Sequence, residues 1–75
     1  MSGFLIEYNR RSGDRRVTVF PGASGSRAAL LRRLQLDAER RDPNIEYVTL
    51  TGESLEQIEE THSRYFQGRE VADVA

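Results

Sequence analysis

The sequence predicts a two-layer α+β sandwich in the order β-β-α-β-α, and three patterns in it carry that reading. Apolar and polar residues alternate with a period of two in residues 4–8, 16–20 and 45–51. Apolar residues recur at helical spacing in residues 24–41 and 55–67. Gly13, Pro21-Gly22, Pro43 and Gly52 punctuate the joins.

The first strand reads Phe4-Leu5-Ile6-Glu7-Tyr8, with Phe4, Ile6 and Tyr8 on one face and Leu5 and Glu7 on the other. Arg11-Ser12-Gly13-Asp14 is a turn signal, with Gly13 able to take a positive φ. Arg16-Val17-Thr18-Val19-Phe20 is the second strand, so the two form an antiparallel hairpin. Pro21 and Gly22 end it. Ser24 is the expected N-cap of the first helix, with Ser26 the alternative. On a helical wheel Leu30, Leu31, Leu34 and Ala38 share one stripe, which is expected to face the core. Leu36 falls on the opposite side, beside Ala29, Arg33 and Arg40. The helix must stop before Pro43, which pushes Asp42 out of helical geometry.

In the third strand, residues 45–51, Val48 and Leu50 share one face while Ile45, Tyr47 and Thr49 share the other. After Gly52, Ser54-Leu55-Glu56-Gln57 has the spacing of a capping box. The second helix is therefore expected from Leu55 to Gln67, with Gly68 just past its end. Residues 1–68 make one domain, and residues 69–75 are expected to be a flexible C-terminal tail.

Strand one is the most apolar and belongs in the middle. The expected sheet is three-stranded and mixed, in the order 2-1-3. Both helices are expected on one face, the one bearing Phe4, Ile6, Tyr8, Val17, Val19, Val48 and Leu50. The other face would then show Leu5, Glu7, Thr18, Phe20, Ile45, Tyr47 and Thr49 to solvent. That set is too apolar to face water without a partner.

A chain of 75 residues buries only roughly 60% of its unfolded surface, and a stability of about 4–11 kcal/mol is expected. The absence of cysteine excludes disulfides and thiolate metal centres, and it fits a cytoplasmic location. No apolar run approaches a membrane span and no signal peptide is evident, so no membrane partner is expected. All 11 basic residues are arginines. Residues 1–41 hold nine of them against four acids, a balance of +5. Residues 42–75 hold two against eight acids, a balance of −6. Such a dipolar charge layout suits self-complementary association.

No motif for chemistry stands out. The turn from Gly22 to Arg27 lies between a strand and a helix, but it has neither the spacing nor the lysine of a phosphate-binding P-loop. His62, the single histidine, sits among Ile58, Tyr65 and Phe66 and reads as a residue at the edge of the core. Glu53, Glu56, Glu59 and Glu60 are accounted for by an acidic helix start, with Glu60 paired to Arg64. No catalytic residue, cofactor or metal is assigned.

The expected function is a small non-enzymatic protein-interaction module. It would be homodimeric through the open sheet face or an accessory to a larger protein, using Leu5, Thr18, Phe20, Tyr47, Thr49 and the isolated Leu36. The alternative is a nucleic-acid-binding domain. There Arg10, Arg11, Arg15 and Arg16 of the hairpin would join Arg27, Arg32 and Arg33 along a phosphate backbone, with Phe20 and Tyr47 stacking on bases. A pI near 5.8 counts against it.

Overall fold

Asn9 shapes the first turn. Its side-chain oxygen accepts from the N–H groups of Arg11 (2.9 Å) and Ser12 (3.2 Å), a local bond that bends the chain. Gly13 takes φ 80° in that turn, where a side chain would be strained. The Asn9 N–H then donates to the Asp14 carbonyl (2.9 Å) and closes the hairpin. A computed structural model describes residues 2–40 and 42–72, and in it β1 (Ser2–Asn9) pairs antiparallel with β2 (Arg15–Phe20). On its other side β1 pairs with β3 (Ile45–Gly52), giving the order β2-β1-β3. Helix α1 (Gly25–Glu39) joins β2 to β3, and α2 (Leu55–Thr61) follows β3. The fold is α+β with the order β-β-α-β-α, as the sequence predicts.

The sheet is antiparallel throughout, not mixed. A helical crossover makes β2 and β3 run the same way, but β1 lies between them, so every neighbouring pair is antiparallel.

The helices do not share a face. Phe4 and Ile6 of β1 pack with Ile58 of α2, joined by Tyr8, Val17, Val48, Leu50, Leu55, Tyr65 and Phe66. That cluster fills one side of the sheet. Leu5 points to the other side and is 1% exposed, because α1 covers it with Gly25 and Ala29, both buried. The layers are therefore helix, sheet, helix.

Small residues decide which face of α1 turns inward. A Cβ on Gly3 would collide with the Gly25 carbonyl, and one on Gly25 would collide with the Phe20 carbonyl. Backbone meets backbone at the start of α1, and no leucine fits so close an approach. The row Gly25, Ala29 and Leu36 therefore faces the sheet. The stripe expected in the core is turned to solvent, with Leu30 45%, Leu31 52% and Leu34 56% exposed. Ser24 occupies the N-cap position but its side chain makes no capping bond.

The capping box of α2 forms in part. Ser54 Oγ accepts from the Gln57 N–H (3.2 Å), but Gln57 Oε1 accepts from the N–H of Glu53, not of Ser54. The helix ends at Thr61, sooner than expected, and a 3₁₀ helix covers Ser63–Phe66. The Thr61 hydroxyl donates back to the Gln57 carbonyl (3.0 Å), and His62 leaves helical geometry at φ −129°, ψ 44°.

The first residues of the expected tail are docked. Arg15 N–H donates to the Arg69 carbonyl (2.8 Å), and Val71 N–H donates to the Arg15 carbonyl (2.7 Å). Glu70 thus bridges Arg15 in parallel, held also by an Arg69–Asp14 ion pair (3.7 Å). Residues 73–75 of the expected tail lie outside the described residues.

Candidate interaction surfaces

The sheet face expected to be open is occupied. Leu5 is buried, Leu36 is half-buried, and Thr18, Phe20, Tyr47 and Thr49 are partly covered by α1. The apolar character that suggested a partner is satisfied within the chain, because α1 supplies the second layer. Of the expected interface residues, the structure brings Leu5, Thr18 and Thr49 into one cross-strand row beneath α1.

Tyr47 neighbours Glu7 across the strand pair. Burial pushes its phenol above the ordinary value of 10.0, helped by the Glu7 and Asp37 carboxylates and opposed by Arg40 and Arg32. On the other side of the sheet, Tyr65 packs edge-on against Tyr8, with ring centroids 5.3 Å apart. Its hydroxyl donates to Glu46 Oε2 (2.9 Å). Burial raises the Tyr65 pKa first, then that hydrogen bond and the Glu46 charge, against the pull of Arg64. Arg64 pairs with Glu46 (3.5 Å), not with Glu60 as expected, because its guanidinium lies over the Tyr65 ring.

Both phenols hold their protons more tightly folded than unfolded. Their contribution is fully present below the unfolded value of about 10 and is lost as pH rises through the raised folded values. Thermal melts across the alkaline range should therefore show stability falling above about pH 10. A Tyr47→Phe/Tyr65→Phe variant should flatten that fall; an unchanged slope would contradict the assignment.

The arginines do not converge on one face. Arg10 donates to the Pro43 carbonyl (2.9 Å) and approaches Glu46 (3.9 Å). Arg15 donates to the Gly68 carbonyl (2.6 Å) and lies 4.9 Å over the Phe66 ring, with its Nε buried and unpartnered. Arg16 pairs with Glu7 (3.5 Å), Arg33 with Asp37 (3.6 Å), and Arg32 donates to Gln35 (3.2 Å). Among the described residues only Arg11 and Arg27 of the seven candidates lack a side-chain partner, and they lie at opposite ends of β2.

His62 is half-buried, its Nδ1 2.8 Å from the Thr61 hydroxyl. Among the described residues no cluster of His, Asp and Glu is placed to hold a metal ion, and no helix is long and apolar enough to cross a membrane.

Among the described residues two exposed apolar features remain. One is the outer face of α1, where Leu30, Leu31 and Leu34 are adjacent; the other is Val19 on β2, 48% exposed. Sequence reasoning gave the first a structural role, and the small-residue row Gly25 and Ala29 was the signal against it. No protein-family model, characterised protein or solved structure matches this chain.

Proposed function

We propose that this protein is a small non-enzymatic interaction module that associates with a second copy of itself through the outer face of α1. The observation that carries this reading is the run of three half-exposed leucines, Leu30, Leu31 and Leu34, on a helix whose other side already seats on the sheet. Scattered exposed leucines are ordinary, but three on one helical stripe in so small a domain form a contiguous patch.

Charge supports a second copy as the occupant. The first turn of α1 carries Arg27 and its last turn carries Asp37 and Glu39, with Arg32 and Arg33 between them and Arg33 paired to Asp37. Two such helices laid antiparallel set Arg27 of each near the acidic last turn of the other. The patch itself spans only a few hundred Å², short of the roughly 1,000 Å² that marks a stable interface. Contact through the leucines alone therefore gives weak association.

Leu34→Ser tests the reading, because an exposed side chain changes stability by only about 0.5 kcal/mol or less. Light scattering should show the wild type growing in mass with concentration while the variant stays monomeric at the same melting temperature. A wild type that remains monomeric at high micromolar concentration would sink the proposal.

A further inference from the structure

Backbone hydrogen bonding alternates along an antiparallel strand, so one residue fixes the direction of all the others. Arg15 directs both its N–H and its C=O away from β1, the N–H donating to the Arg69 carbonyl and the C=O accepting from the Val71 N–H. Val17 and Val19 therefore point outward as well. Their partners on β1, Tyr8, Ile6 and Phe4, direct their groups toward β3, where they meet Glu46, Val48 and Leu50. The bond from Arg10 N–H to the Asn44 carbonyl (2.8 Å) continues the same alternation. Ile45, Tyr47, Thr49 and Thr51 are left pointing away from the sheet.

Ile45 is accounted for. Its N–H donates to the Asp42 carbonyl (3.2 Å), and its C=O accepts from Arg40 Nη1 (3.4 Å). Tyr47, Thr49 and Thr51 have no such partners among the described residues. The two sheet edges thus differ. On β2 the docked residues 69–71 take Arg15, and Pro21 has no N–H to offer, so only Val17 and Val19 remain. On β3, residues 47–52 contain no charge and no proline, and so lack the usual devices that blunt an edge.

We propose that β3 of one copy pairs antiparallel with β3 of a second copy about a two-fold axis at Thr49, joining the two sheets into one of six strands. This rests on the self-association reading above and names the interface for it. The register is self-complementary. Thr49 faces Thr49 of the second copy, Tyr47 faces Thr51, and Val48 faces Leu50. Each is a favourable cross-strand combination, and none opposes like charges. Centring on Tyr47 would spend contacts on Ile45, whose groups are taken. Centring on Thr51 would run into Glu53, whose N–H is held by Gln57. Only the Thr49 axis uses all the free groups.

The helices fit the same axis. Helix α1 lies mainly over β1 and β3. With strands about 4.8 Å apart, a helix above the β1–β3 boundary stands about 5 Å from the axis. Two copies of α1 would run antiparallel about 10 Å apart, the spacing at which helices pack. Arg40 reaches Ile45 from the β3 flank of α1, and Leu30 lies farther round that same flank, with Leu34 on the outer side of the helix. Leu30 and the strand edge become two parts of one interface, with Leu34 at its rim.

Amide exchange followed by NMR on the wild type tests the pairing. Tyr47, Thr49 and Thr51 should exchange more slowly as concentration rises, while Val48 and Leu50, already bonded to β1, stay unchanged. Thr49→Pro removes an outward N–H without touching the β1 ladder. It should weaken the dimer at least about tenfold, because the axis loses both its donors together. A dimeric wild type with fast exchange at those three amides would overturn the edge pairing and leave the helix surface standing, as would an undiminished Thr49→Pro dimer. A monomeric wild type would overturn self-association itself. Protection of the same amides in a protein of monomeric mass would assign the edge to another protein's strand and overturn the second-copy proposal.

Discussion

Gly25→Ala should destabilise this protein by about 3 kcal/mol or more, a large part of its expected stability. The added methyl would collide with the Phe20 carbonyl and crowd the Gly3 nitrogen at 2.8 Å. Both neighbours are backbone, and both belong to strands of the sheet, so neither can swing aside as a side chain would. Alanine favours a helix over glycine by about 1 kcal/mol in the interior, and by less in a first turn. The steric term therefore wins. Urea denaturation should show the loss as a lower midpoint, and Gly3→Ala should behave alike because its methyl would meet the Gly25 carbonyl from the other side. Gly22→Ala is the control for space. Nothing lies within 4 Å of its Cβ, so its cost comes only from φ 88°. A Gly25→Ala protein as stable as the wild type would mean that α1 does not rest on the sheet at this point.

The strands, the hairpin and their order were legible because each depends on local signals. A period of two marks a strand, Arg11 through Asp14 marks a turn, and the apolar run Phe4-Leu5-Ile6 marks the central strand. That same run held a further message. Consecutive apolar residues in a strand mean burial on both faces, and Phe4 and Leu5 are indeed buried on opposite sides. The helix stripe pointed the other way, since Leu30, Leu31 and Leu34 outweigh Ala29 and Gly25 on any wheel. Apolar periodicity measures what a helix gains by burial, but not how near its axis can come to a sheet. Here close approach of Gly3, Gly25 and Phe20 set the orientation. The expected interface residues Leu5 and Leu36 were consequently used inside the fold. The free edge of β3 was illegible for a different reason. It depends on hydrogen-bond parity, which is fixed only once Arg15 is seen to bind Arg69 and Val71.

Two truncations on opposite faces measure this two-sided core directly. Ile58→Ala should cost about 2–5 kcal/mol, because the side chain is 2% exposed and seats on Phe4 and Ile6. It is the single fully buried residue of a seven-residue helix, and the second contact of α2 with the core, Leu55, is only partly buried. Gly52 is buried beneath it, with room for no side chain, since a Cβ there would stand 2.9 Å from Ile58 Cδ1. Collapse into the space left by the truncation is thus limited on the strand side, which places the cost toward the upper half of the range. Leu5→Ala should cost a similar amount, although Leu5 faces away from Ile58 and touches the α1 layer. If both helices covered one face, Leu5 would be open to water and its truncation would move stability by only about 0.5 kcal/mol. Leu34→Ala removes the same atoms as Leu5→Ala from a site 56% exposed, and it should show that smaller effect. Chemical denaturation of the three variants therefore yields two large losses and one small one. Equal losses for Leu5 and Leu34 would refute the placement of α1, whatever Ile58 shows.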